Sequence, residues 1–294
     1  MRGKFGKESP EARMPDPGET FADHELGELL GEGGMGKVFK ATHPEGQVVA
    51  LKVLRSELGD DDGFRRRFER EAEMARRVEH AHVVRTLDAG EHEGVLFLTQ
   101  EFIPGGSLDE TLERETTLEL ERAVQICIEV AAGLDAMHAA GLVHRDIKPH
   151  NIMLDTEGNA FIADFGLAKD REASTVLTRL GQAMGSLDYM APEQIRGVEV
   201  DARADVYALG CVIYECLTGR PPFADRKGMQ VMWAHLRDEA PNPCELRDEL
   251  PDSVGWTITM AMAKEAGDRP PTATAYARML QMAAGSPGTP GAAP

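Results

Sequence analysis

The sequence predicts an α+β chain in two parts: a small strand-rich lobe with one helix, over about residues 21–102, then a larger, mainly helical lobe over about 103–284. Three observations predict it. The runs "KVFKAT" (37–42) and "QVVALKVL" (47–54) are β-rich and flank the turn "HPEG" (43–46). From about residue 107 onward the apolar spacing is mainly helical. Between the two regimes lies "IPGGS" (103–107), a Pro-Gly-Gly punctuation suited to a hinge.

The chain has 294 residues, of which 42% are hydrophobic, enough for one large domain or two lobes. Its formal charge of −18 argues against nucleic acid or an anionic membrane as the main partner. The four cysteines, Cys127, Cys211, Cys216 and Cys244, include no C-x-x-C pair and read as core residues of an intracellular protein. No run of about 18 apolar residues is present, so no membrane segment is expected within this sequence, and no secretory h-region appears at its start. Residues 1–20 read as a loose polar arm, and 285–294, "GSPGTPGAAP", as a disordered Gly/Pro/Ala tail or the start of a linker.

Within the first lobe, "LLGEGGMGKVFKAT" (29–42) contains G-x-G-x-x-G at Gly31, Gly33 and Gly36. Such glycines let backbone N–H groups approach phosphates. A P-loop is disfavoured because Val38 stands where a hydroxyl should hold magnesium. A dinucleotide loop is disfavoured because no helix follows Gly36, and about 20 residues on stands "ALKVLR" with its base instead of an acid. The loop therefore belongs to a hairpin, with Val38 and Lys40 on one strand face and Phe39 on the other. "DDGFRRRFEREAEMARRVEH" (61–80) then reads as a helix with Asp61 and Asp62 at its positive end and Phe64, Phe68, Ala72, Ala75 and Val78 on its apolar face. Glu71 interrupts that face and needs a cation; Lys52 is the candidate, with Glu69 and Glu73 as alternatives to Glu71.

The second lobe carries, in order, "LVHRDIKPHNIML" (142–154), "IADFGLAK" (162–169), "YMAPE" (189–193), "DARADVYALG" (201–210) and "GDRPPTA" (267–273). With "GEGGMGKVF" and "VALK", this ordered set over residues 23 to 283 resembles the protein kinase family, and within it the bacterial eukaryotic-type serine/threonine kinases. The resemblance implies a two-lobed fold with a small antiparallel sheet. It implies ATP and magnesium, with manganese as a possible substitute, between the lobes, and serine or threonine hydroxyls of proteins as acceptors.

The resemblance also implies residue roles. Asp146 would accept or orient the acceptor proton, Lys148 would sit near the transferred phosphate, and Lys52, paired with Glu71, would take the α- and β-phosphates. Asn151 and Asp164 would hold the metal. Nucleotide contacts would come from Leu30, Gly31, Glu32, Gly33, Gly34, Met35, Gly36, Lys37, Val38 and Ala50, from Glu101 and Ile103 at the hinge, and from Met153 below, with Gln100 closing the back of the pocket. His144 is expected to brace the catalytic loop, Phe165 to pack, Asp205 to hold that loop from below, and Glu193 to clamp Arg269. Ser186 stands where the family usually has threonine, and Ser107 and His150 stand where basophilic members carry glutamate, so no strong preference for upstream arginine is expected. Arg145 and Lys169 would form a cationic pocket for a phosphate on Thr178, placed there by a second copy; Ser174 and Thr175 are less well placed, and Tyr189 is expected to pack. The chain is expected to be cytoplasmic, or the cytoplasmic part of a longer anchored protein. The alternative function is a catalytically weak, ATP-binding scaffold of the same fold.

Overall fold

The structure is a computed structural model that describes residues 13–59, 61–164 and 187–285. It divides into two compact units, one of residues 1–76 and 86–102, the other of residues 77–85 and 103–294.

The first unit is built on a six-stranded sheet. Its strands are β1 (Thr20–Phe21), β2 (His24–Gly33), β3 (Gly36–Thr42), β4 (Val48–Leu54), β5 (Thr86–His92) and β6 (Val95–Glu101). They run in the order β1-β2-β3-β4-β6-β5, every pair antiparallel. Strict alternation decides which face is core. Phe39 and Ala41 of β3, and Val49, Leu51 and Val53 of β4, are buried with Phe21, Leu26, Val95 and Phe97. The residues between them, Val38, Lys40, Ala50 and Lys52, take the opposite face and are half-buried. The register sets Val38 across from Lys52 and Lys40 across from Ala50.

Helix α1 (Ser56–Gly59) is a single turn and α2 (Asp62–Ala75) is the unit's long helix. Asp61 caps α2, its carboxylate accepting from the N–H groups of Gly63 (2.7 Å) and Phe64 (3.1 Å). Those two bonds hold the Asp61 carboxyl below the usual range. Phe64, Phe68, Ala72 and Ala75 are the buried stripe. The helix stops at Ala75, five residues short of the end of the 61–80 stretch read as helical, whose apolar spacing runs to Val78. From residue 77 the chain joins the second unit, where Val83 bridges Ile162, so tertiary pairing overrides helical propensity there.

The second unit contains α3 (Leu108–Glu115), α4 (Leu120–Ala139), the hairpin β7 (Ile152–Leu154) and β8 (Ala160–Ile162), then α5 (Pro192–Arg196), α6 (Arg203–Thr218), α7 (Met229–Arg237), α8 (Asp252–Ala261) and α9 (Ala273–Gly285). Helix α6 is buried from Ala204 to Tyr214 without a break, as a central helix must be. Among the described residues no helix is long and apolar enough to cross a membrane.

One buried ion pair ties distant segments together. Arg269 donates to Glu193 through both Nη atoms, at 2.6 and 2.8 Å, and spends its remaining N–H groups on the carbonyls of Ala263 (2.8 Å), Arg203 (2.9 Å) and Lys264 (3.2 Å). All five guanidinium donors are thus used, the condition under which a buried charge is tolerated. Removing the carboxylate alone leaves a buried cation, so Glu193→Ala is expected to lower unfolding free energy by about 3–5 kcal/mol. Denaturant titration checks this; a loss below about 1 kcal/mol, the size of an exposed pair, would contradict the clamp.

Candidate active site

The catalytic-loop residues gather at the start of the β7–β8 hairpin, and the constraint begins at Arg145. This residue adopts φ 63°, the left-handed region that a long L side chain rarely enters. It is held there by Asp205 on α6, which is fully buried. One Asp205 oxygen accepts from the Arg145 N–H (2.8 Å); the other accepts from the His144 N–H (2.8 Å) and lies 2.7 Å from His138 Nε2. From the other side, Gln194 Nε2 donates to the Arg145 carbonyl at 2.8 Å.

This kinked backbone presents the next residues as a set. Lys148 Nζ lies 3.3 Å from Asp146 Oδ2. Asn151 Nδ2 donates to the Asp146 carbonyl at 2.8 Å and approaches Asp146 Oδ2 at 3.3 Å. His144 is buried and bridges two segments: its Nδ1 accepts from the Asp146 N–H (3.2 Å), which leaves Nε2 protonated to donate to the Ala163 carbonyl (3.0 Å). The Ala163 N–H in turn donates to the Asn151 carbonyl at 2.9 Å. Asp164, at φ 53°, follows directly. The bracing role expected of His144, the support expected of Asp205 and the Glu193–Arg269 clamp are all present as geometry.

Because Asn151 commits its amide nitrogen to Asp146, its Oδ1 is the atom left for a cation. Together with the Asp164 carboxylate it offers hard oxygen donors. Among the described residues no cluster of three or more His, Cys, Asp or Glu side chains could hold a metal by itself. Two oxygen donors with the rest supplied by water and phosphate is the usual manner of binding magnesium, so the residues fit that ion.

The glycine loop is the β2–β3 turn, with Gly33 paired to Gly36 and Gly34 and Met35 at its tip. Gly36 is required by the protein's own packing, since a Cβ there would lie 2.0 Å from the Val53 carbonyl oxygen. Gly31 and Gly33 are different: a Cβ on either would meet nothing within 4 Å among the described residues. Internal packing therefore does not require glycine at these two positions. Glu32 lies 3.9 Å from Arg55, whose Nη2 also donates to the Gly33 carbonyl at 3.3 Å, and Lys37 lies 3.4 Å from Asp16. Leu30 is exposed, Gly31 pairs across from Val38, and Val38, Ala50 and Lys52 share their face. Glu71 is half-buried whereas Glu69 and Glu73 are exposed. Gln100 is buried across from Ala50 and Glu101 is exposed at the end of β6.

In the second unit Ile103 is buried and Met153, half-buried, bridges Ser107. Gly105 is forced by proximity: a Cβ would lie 2.3 Å from the Leu154 carbonyl oxygen. Tyr189 packs as expected, buried, with its hydroxyl donating to Glu215. Burial raises the Glu215 carboxyl to about 7; the Tyr189 bond opposes that shift, and Asp109 and Asp188 add to it. Phe165, Lys169, Ser174, Thr175, Thr178 and Ser186 lie outside the described residues.

Two supports were not read from the sequence. Gln194, next to the "APE" motif, reaches the Arg145 carbonyl, and His138, on α4, reaches Asp205. Gln194 had a signal, its place in a recognised segment. His138 had none, being one of several polar residues on α4 with nothing local to mark its partner.

A family model described as the protein kinase domain matches residues 24–275, and with this loop geometry the chain belongs to the protein kinase family. Its relatives include bacterial serine/threonine kinases. It is 42% identical over 254 residues to the serine/threonine-protein kinase PknH of Mycobacterium tuberculosis, covering 86% of this chain and 40% of that protein. It is 42% identical over 258 residues to PknD of the same organism, covering 87% and 39%. The chain thus spans about two fifths of the length of these relatives. Among solved structures, the Mycobacterium tuberculosis PknI kinase domain matches with a TM-score of 0.76 at 31% identity, over 92% of this chain and all of that one.

The Asp205 contacts generate a test. Asn at 205 supplies one oxygen where two are used, so an amide of the loop loses its acceptor, a cost of about 1–3 kcal/mol. Asp205→Asn is expected to slow phosphoryl transfer by at least about tenfold, with nucleotide affinity little changed. Steady-state kinetics beside nucleotide titration checks it; an unchanged kcat would contradict the support role.

Proposed function

We propose that this chain transfers the γ-phosphoryl group of ATP, with magnesium, to serine or threonine hydroxyls of proteins. The observation that carries the reading is the convergence of Lys148 Nζ and Asn151 Nδ2 on the Asp146 carboxylate, each at 3.3 Å. Asp146 orients the acceptor hydroxyl and takes its proton as the oxygen–phosphorus bond forms and the bond to the departing ADP breaks. Lys148, held beside that carboxylate, offsets negative charge on the transferred group. Asn151 and Asp164 would hold magnesium, which would supply neutralisation of phosphate charge. Lys52, with Glu71 as its partner, positions the α- and β-phosphates, and the open backbone at Gly31 and Gly33 admits the phosphates. Leu30, Val38, Ala50 and Met153 supply apolar contacts to adenine, and the backbone of Glu101 and Ile103 supplies its polar ones. The lysine two residues after Asp146 favours serine and threonine over tyrosine as acceptors.

The same reading includes control by phosphorylation of Thr178 by a second copy. Its support is Arg145, whose buried Nε has no hydrogen-bond partner among the described residues. A phosphate brings nearly two negative charges and strong acceptors, the complement of such a donor.

Incubation with labelled ATP and a generic protein acceptor tests the reading. Transfer is expected in the unaltered chain and loss by several orders of magnitude in Lys52→Met and Asp146→Asn. Asp164→Asn is expected to weaken MgATP binding more than Asp146→Asn does, because only the first removes charge from the metal. Mass spectrometry of the active chain against Asp146→Asn is expected to show phosphate on Thr178 in the active chain alone. MgATP binding without transfer would favour the scaffold reading, and an unmodified Thr178 in fully active protein would remove the proposed control.

A further inference from the structure

Both tryptophans of the chain lie on the surface of the second unit, Trp233 on α7 at 54% exposure and Trp256 on α8 at 57%. Tryptophan is among the side chains most costly to leave in water. The two differ in what covers them. The guanidinium of Arg237 sits over the Trp233 ring, 5.9 Å from its centroid. No cation of the described residues sits over Trp256.

Trp256 forms one wall of a hollow of about 400 Å³ whose other walls include Glu239, Asn242, Glu245, Met262 and Lys264. The hollow is built, not incidental. A Cβ on Gly255 would lie 2.2 Å from Asn242 Oδ1 and 2.7 Å from Cys244 Sγ, so the 242–244 turn is pressed against α8 and its position fixed. Asn242 also accepts from the Cys244 N–H at 3.0 Å, and the Cys244 thiol lies 3.6–3.7 Å from the Leu250 and Pro251 carbonyls. Met262 is fully buried at its base.

The charge of the hollow is one-sided. Among the described residues neither Glu239 nor Glu245 has an ion-pair partner. The hollow's one basic side chain is committed elsewhere: Lys264 Nζ donates to the Ala234 carbonyl at 3.2 Å and lies over the Phe223 ring at 4.9 Å and the Tyr207 ring at 5.8 Å. Two uncompensated carboxylates beside an open indole face form a receptor for a flat, delocalised cation. Stacking on the ring and pairing with carboxylates are the two contacts a guanidinium makes best.

We infer that this hollow is a docking site for an arginine-bearing peptide segment of a partner protein, separate from the residues assigned to phosphoryl transfer. The arginine lies on Trp256 as Arg237 lies on Trp233, with its fork toward Glu239 or Glu245. None of the lining residues belongs to the glycine loop, the catalytic loop or the metal pair, so docking and chemistry are separable by mutation.

The test is fluorescence anisotropy of a dye-labelled, end-blocked hexa-arginine peptide titrated with the full chain, whose readout is independent of kinase activity. Saturable binding that falls on raising salt is expected. Trp256→Ala and the double variant Glu239→Gln/Glu245→Gln are each expected to weaken it at least about tenfold, about 1.4 kcal/mol. Glu113→Gln/Glu157→Gln, removing two exposed carboxylates outside the hollow, is expected to leave it unchanged. All three variants are expected to keep basal transfer to a generic acceptor, which confirms that they are folded. Absence of saturable binding, equal weakening by the two double variants, or tighter binding of hexa-glutamate or of a peptide of sequence PGTPGAAP would each overturn the proposal.

Discussion

The buried carboxylate of Asp205 is the constraint on which the arrangement of the catalytic loop rests. A positive φ at an arginine costs free energy, on the order of 1–3 kcal/mol, and persists only when the surroundings over-determine it. Here the determination comes from two backbone N–H groups directed at one ion inside the core. Charge-assisted bonds in a low-dielectric interior are strong enough to hold the kink. The kink reverses the chain so that Asp146, Lys148 and Asn151 come together. Without it the same sequence would run on from Leu142 with no reason to gather these groups.

From that point order propagates through backbone contacts. His144 carries it to Ala163, Ala163 returns it to Asn151, and Gln194 closes the other side of Arg145. Each link uses a donor or acceptor that burial would otherwise leave unpaired, so the network is both support and necessity. Further out, Arg269 and Glu193 fix α5, which carries Gln194, against the segment that precedes α9. Asp146, Lys148 and Asn151 thus stand on three successive layers of hydrogen-bonded groups, and a defect in any layer reaches them by displacement.

Much of this was legible in the sequence, for identifiable reasons. The alternation of β3 put Val38 and Lys40 on one face and Phe39 on the other, and the structure buries Phe39 in the core beside Leu51 of β4. The ordered motifs named the family. The rest escaped because it is not local. Nothing in "HRD" announces that arginine takes a left-handed conformation, since the usual markers of that region, glycine and asparagine, are absent. Nothing near His138 announces its distant partner Asp205. Helix α2 ends at Ala75 although the apolar spacing runs on to Val78, because the following residues pair with β8 in the other unit.

The claim that Asp205 pins the loop is tested most directly by amide hydrogen exchange at His144 and Arg145 in the unaltered chain. If both N–H groups are locked onto a buried carboxylate, they exchange only when the helical unit unfolds, with protection equal to that of the α6 core amides. Exchange of either amide orders of magnitude faster than the α6 amides, in conditions where the fold is intact, would contradict the account.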